Sequence, residues 1–561
     1  MKTRTQGWGA RLVMVAIALL ALGNAAQANC DANGIITGAN GAIVLGVAGC
    51  ATAPGITSAT VVSGETVTAA GTGVASVASP GWAVTNQGTI TATGNAVTGN
   101  VSFTLTNSGA ITAGSSGALL GGGSTVVNSV GSTIAGAFTG LSISANGGST
   151  SGGPSTVDNA GTISSTSGFN DAILLGLGGT VTNRSTGTIR AFGVGVAGDT
   201  NPTIVNNSGQ ILDASTGIGL SAGGTVTNDV GAVISSSSRG VDISGGVGTV
   251  VNSGSILASA GRAVQLQAGG SVTNTSSGTI TSNDGGTRAI FIFGGPSTIV
   301  NAGAINGGIL AAIEVESTQS SISNSGTIRT TSGVGIQLDP TGAGNTLTTI
   351  VNDAGGTIQG ASSALVANGN ASVDFTNKGT VVGDLIFGAG DAALRFYTGS
   401  LLTGNLMAGT GTNTISFNGS GSGTFSNPIA NFQTITKQDD GTWTLSGGVS
   451  GATAVSVTQG TLILSAANTY TGMTTVNSGA LIVDGSIASS ILTTVNGGGT
   501  LGGTGTVGRT QINSGGIFAP GPQDAPGSMT VAGGGLAIRR LCRCGMKVRP
   551  QHPLTTAGTA G

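Results

Sequence analysis

Val84-Thr-Asn-Gln-Gly-Thr-Ile90 is the phrase that decides the fold, because the chain keeps returning to it. Its pattern is apolar-x-Asn-x-Gly-x-apolar. It recurs as Leu105-Thr-Asn-Ser-Gly-Ala-Ile111 and Val157-Asp-Asn-Ala-Gly-Thr-Ile163, and again from Val205, Val250, Ile299, Ile322 and Phe375. A variant with extra residues at the turn starts at Val126, Val181, Val226, Val272 and Ile350. The mean spacing, about 24 residues, suits one turn of a solenoid, whereas a β-propeller blade needs roughly 40 to 50.

Within the phrase the first apolar residue and the Asn share parity, so both point to one side of a strand, and the residue between them, often Thr, points outward. The Asn stands where the strand turns. The Gly two residues later is expected to reverse the chain at positive φ. Stacked coils place one Asn about 4.8 Å above the next. A buried amide needs partners, and the amide of the next coil supplies them. The expectation is an asparagine ladder of Asn86, Asn107, Asn128, Asn159, Asn183, Asn207, Asn228, Asn252, Asn274, Asn301, Asn324, Asn352 and Asn377.

The second half of each period alternates more loosely, as in Gly217-Ile-Gly-Leu220, Gly240-Val-Asp-Ile243, Ala263-Val-Gln-Leu266 and Ala289-Ile-Phe-Ile292. Alternation over four to six residues marks a half-buried strand and not a helix. Each coil therefore has two or three short strands joined by Gly-containing bends. Strands that recur once per coil run parallel, and such crossovers are right-handed in nearly all sheets. The predicted fold class is all-β: a right-handed, single-stranded parallel β-helix with about 24 residues per coil and roughly twenty coils between residues 30 and 535.

Composition agrees. Of 561 residues 105 are Gly, 7% are charged and 3% aromatic, which fits many tight turns and not the high-charge signature of disorder. Between residues 29 and 535 ten basic residues face twenty acidic ones, so a nucleic-acid partner, which needs a basic stripe, is excluded. Residues 1–28 read as a secretory signal peptide: Lys2, Arg4 and Arg11, an apolar run from Leu12 to Leu22, then Ala26-Gln27-Ala28 as a cleavage site. Cys30 and Cys50 then read either as a disulfide closing a loop over the end of the stack or as two unlinked thiols.

From about residue 385 the wording changes and aromatics increase: Leu394-Arg-Phe-Tyr397, Thr414-Ile-Ser-Phe417, Gly441-Thr-Trp-Thr-Leu-Ser-Gly447, Gly460-Thr-Leu-Ile-Leu464 and Asn468-Thr-Tyr-Thr-Gly through Val483. This stretch resembles the autotransporter-associated β-strand repeat near the C-terminal end of many passenger domains. Gly498-Gly-Thr-Leu-Gly-Gly-Thr-Gly-Thr-Val507 and Gly516-Ile-Phe-Ala-Pro-Gly521 resemble what usually follows it. The resemblance covers residues 431–535. It implies a surface-displayed or secreted, adhesin-like rod with an unknown host or neighbouring-cell ligand, and an outer-membrane translocator barrel as partner.

No barrel-like sequence follows residue 535, and the expectation is a truncated product held in the periplasm. The organisation expected is thus a leader (1–28), an N-terminal cap with the first coils (29–83), the Asn-Gly β-helix (84–384), transitional coils (385–430) and the autotransporter-like repeat (431–535). A basic tail (536–561) with Cys542, Cys544 and His552 follows, read as a frameshift product or as an interaction tail.

Catalytic inventory is thin. His552 is the only histidine, so no Ser-His-Asp or Cys-His arrangement can be assembled within the coils, and no HExxH, P-loop or calcium nonapeptide phrase occurs. No cofactor or metal is expected, and the chain is read as a non-enzyme. The alternative is a secreted β-helical carbohydrate-active enzyme. For it the sequence offers Glu314 and Glu316, alternating with Ile313 and Val315, which places both carboxylates on one outer strand face about 7 Å apart. Solvated surface charge is the plainer reading of that pair, and core packing is the plainer reading of Trp443 and Tyr470.

Overall fold

Short Val-, Ile- and Thr-rich segments between glycines favour pleated strands over helices. The computed structural model is accordingly all-β, with parallel strands stacked as a β-solenoid at intervals of about 23 residues. It describes residues 30–539 except 38, 46–49, 51–55, 77–80, 145–151, 169, 284–286, 318, 341–345, 523–525 and 534, and no helix occurs among the described residues. Residues 1–28, expected to be a leader, and the tail from residue 540, with Cys542, Cys544 and His552, lie outside them. The chain divides into two units, Met1–Ser237 with Asp242–Gly246, and Ser238–Val241 with Val247–Gly561.

In the first unit a coil typically has three strands, for example Thr104–Asn107, Ala110–Ala113 and Ser116–Leu120, and where the second and third run together they form one long strand, as in Gln210–Leu220. Each pairs in parallel with its counterparts one period before and after. Leu105 lies beside Val84 and Val126, and Asn107 beside Asn86 and Asn128. Alternation does the packing. Val84, Leu105, Val126 and Val157 form one fully buried column, and Ile90, Ile111, Ile134 and Ile163 another. Burying each such side chain contributes about 1.5–3 kcal/mol, an upper figure because the unfolded chain is partly collapsed. At the N-terminal end Cys30 forms an antiparallel bridge with Ile36 and a disulfide with Cys50, so the first strand edge, Ile35–Ile36, is covered by chain. An uncovered edge would template further pairing.

The glycine of the repeated phrase does not do what the sequence suggested. Gly88, Gly109, Gly326 and their equivalents are absent from the positive-φ residues. They are required by proximity: a Cβ on Gly109 would strike the carbonyl oxygen of Gly88, and one on Gly326 that of Gly303. Within the phrase, positive φ occurs at the glycine of three of the longer turns, Gly131 (77°), Gly231 (79°) and Gly355 (86°).

In the second unit the same three-strand coil runs from Gly248–Asn252, Ser255–Ala258 and Arg262–Leu266 onward. The Asn corner then changes character. Asn377 is followed in register by Phe396, Phe417, Lys437, Val457, Val476, Val495 and Ile512. The change of wording near residue 385 therefore marks a change of interior, while the coil continues.

Candidate functional site

The asparagine corner is built first. Asn86 Nδ2 donates to Asn107 Oδ1 at 2.8 Å, and the same bond links Asn107 to Asn128, Asn128 to Asn159, Asn159 to Asn183, Asn183 to Asn207 and Asn207 to Asn228 in the first unit. In the second unit it links Asn252, Asn274, Asn301, Asn324, Asn352 and Asn377 in turn. The separations vary from 21 to 31 residues, yet the bond length stays at 2.7–2.8 Å. Extra residues are absorbed outside the corner. All these amides point the same way, so the ladder has a beginning: Asn86 Oδ1 is buried without a partner, above Val61.

Beyond Asn377 the corner is aromatic. Phe396, Phe417 and Phe425 have ring centroids 5.0–6.3 Å apart, and Trp443 stands 5.0 Å from Phe417. Trp443 is buried and its Nε1 donates to the Asn418 carbonyl at 2.9 Å. Lys437, next in the column, is fully buried, and its ammonium donates to the carbonyls of Gln438, Asp439 and Gln459. Burial pushes that ammonium below its usual pKa, against the pull of Asp439 and Asp440. Tyr470 is likewise buried, shares a hydrogen with Thr474 Oγ1 at 2.8 Å, and is pushed up to about 12 by desolvation. Neither Trp443 nor Tyr470 offers a ring to a surface ligand.

The outer face of the third strands in the second unit carries the remaining chemistry. Gln265, Phe291, Glu314 and Gln337 occupy one outward column in successive coils. Outward positions are normally wet, yet Glu314 is only 1% exposed and Phe291 6%. Arginines cover them: Arg262 lies 4.4 Å and Arg288 5.0 Å from the Phe291 ring centroid, and Arg288 also pairs with Glu314. Each cation–π contact contributes roughly 0.5–2 kcal/mol, rising as water is excluded. Glu314 is therefore not the solvated charge expected from sequence. Nor are the two carboxyls about 7 Å apart: Glu316 hydrogen-bonds Glu314, and burial, followed by that neighbour, raises its pKa.

Arg262, Arg288 and Phe291 were not legible as a group because Arg262 lies more than a full period before the other two and meets them only through coil register. Aligning the third strands by period would have exposed the column Gln265-Phe291-Glu314-Gln337. Among the described residues no cluster of His, Cys, Asp and Glu is arranged to hold a metal ion.

The stacked coils and their C-terminal change of interior define the class: a repeat-built parallel β-solenoid. Residues 435–456 and 459–483 match the passenger-associated-transport-repeat family, so the chain carries the repeat typical of autotransporter passenger domains on the solenoid, and such repeats imply export through the cell envelope. No curated protein matches the chain.

Proposed function

We propose that the chain is a surface-presented attachment scaffold with no catalytic role, whose flank meets a ligand on a host or neighbouring cell. The observation that carries this reading is the pair of passenger-associated-transport repeats at residues 435–456 and 459–483, set within continuous coils. A solenoid coil adds to an exposed coil edge one period at a time, so folding can proceed directionally as the chain emerges. The coils with the densest aromatic interior, Phe396 to Trp443, and the repeats beyond them serve as the seed in this reading. Deleting residues 431–535 should then slow refolding far more than deleting two central coils; equal effects refute the seed.

Attachment is tested on bacteria displaying the chain through an outer-membrane translocator. Protease added to intact cells should remove both the chain and adherence. Adherence that survives shaving refutes the proposal. The rival, a carbohydrate-active enzyme, draws on the Arg288–Glu314–Glu316 group. Release of reducing ends from a polysaccharide panel, abolished by Glu314→Gln, would establish the rival instead.

A further inference from the structure

The cluster on the outer third-strand face sits oddly in a chain with so few charges. Arg262, Arg288, Glu314, Glu316 and Asp339 fall within four successive coils, together with Phe291 and Phe293, whose rings are 5.1 Å apart. Coil stacking does not demand them. The first-unit positions that correspond to Gln265, Phe291, Glu314 and Gln337 hold Ser142, Leu174 and Ala197, and those coils form equally well; two positions on, where the second unit has Glu316 and Asp339, the first unit has Asp199. Residues that break a repeat without serving its packing are where a repeat protein places recognition.

We propose that this face, between Arg262 and Asp339, is a glycan-binding site for neutral or amino-sugar oligosaccharides; it rests on the attachment reading above and supplies that reading with a ligand class. Donors and acceptors alternate at close range. Arg262 bonds Gln265, Arg288 bonds Glu314, Gln337 bonds Asp339, and Glu316 adds a carboxyl beside Glu314. Gln265 and Glu314 are buried, so the groups left to a ligand are the half-buried Arg262, Arg288, Glu316, Gln337 and Asp339, and vicinal hydroxyls, each both donor and acceptor, match that set. Phe293, half-buried beside the arginine-covered Phe291, offers the apolar contact that a sugar ring face needs.

Other ligand classes fit less well. Three carboxyls against two guanidiniums disfavour sulfated or uronic glycans and nucleic acid. An extended peptide seeks an open strand edge, and these strands are paired on both sides. The side chains are held in place by their own ion pair and cation–π contacts, so little ordering is left to binding.

The test uses the purified full chain on an immobilised glycan panel, followed by titration with the best oligosaccharide. Glu316→Gln and Arg262→Ala should each weaken binding at least tenfold while the β-sheet circular dichroism stays unchanged; Asp339→Asn replaces either variant that fails to fold. Retention of no saccharide overturns the site, as does retention indifferent to the substitutions or limited to anionic glycans and lost with salt. The two proposals separate cleanly. Cells that adhere while the purified chain binds no glycan remove this site and leave attachment standing. Glycan binding without adherence does the reverse.

Discussion

At the residue scale the asparagine ladder sets the strongest energetic expectation. Asn207 accepts from Asn183 and donates to Asn228, at 2.7 and 2.8 Å, in a fully buried corner. Asn207→Ala leaves a donor and an acceptor stranded, each costing about 1–3 kcal/mol. Urea unfolding should therefore show a loss of roughly 2–4 kcal/mol. At the ladder's beginning the effect is different: Val61→Asn offers an amide to Asn86 Oδ1 but makes its own Oδ1 the new end of the ladder, so it should be far milder, within about 1 kcal/mol of neutral.

A second residue-scale expectation concerns Asp171. Burial raises its pKa to about 6, the Val194 N–H at 3.0 Å opposes that shift, and Asp199 adds to it. The native state thus holds the proton more tightly than the unfolded chain does. This group's favourable contribution is full below pH 3.8 and is lost as pH rises through about 6. Asp171→Asn removes that pH dependence and should stabilise the protein at pH 7 by on the order of 1–2 kcal/mol. Denaturation midpoints compared at pH 4 and pH 7 check it.

At the scale of the element, neighbouring strands are joined by what their turns permit. Gly326 has ordinary φ, but its Cβ would meet the backbone of Ala302 and Gly303 in the preceding coil. Gly326→Ala must push two coils apart and should cost about 1–3 kcal/mol or more. Gly71→Ala, where nothing lies within 4 Å, should fall within about 0.5 kcal/mol of wild type. Similar losses at both sites would mean that backbone freedom, and not coil contact, selects these glycines. Charges obey the same neighbour rule: Arg184 pairs with Asp158 across 26 residues and Lys378 with Asp353 across 25, each bridging adjacent coils. Being exposed, such pairs contribute little, about 0–1 kcal/mol each.

At the scale of the whole molecule, stability within each unit is close to a sum of coil and nearest-neighbour terms. Removing one complete period preserves every remaining contact type. Deleting residues 183–206 should let Asn159 stack on Asn207 and lower Tm by only a few degrees, about 2–5 °C. Deleting residues 183–194 removes half a period, mispairs the strands that follow, and should abolish cooperative melting in the first unit. Calorimetry of the two deletions distinguishes additive stacking from a globally cooperative core.

The period, the parity of Val84 with Asn86 and the repetition of both were enough to specify parallel stacked strands and an amide at each corner, because a strand exposes its two-residue alternation directly in the sequence. The transport repeat was legible too, since its wording is local. Three things were settled only by the folded chain. Gly109 and Gly326 are small because another coil's carbonyl lies against them, a contact no spacing along one strand reveals. Glu314 is buried on an outward face because Arg288, 26 residues earlier, covers it. The grouping of Arg262, Phe291 and Glu316 depends on register across coils of unequal length. Periodicity fixes which way a side chain points; what it meets there is decided by the neighbouring coil.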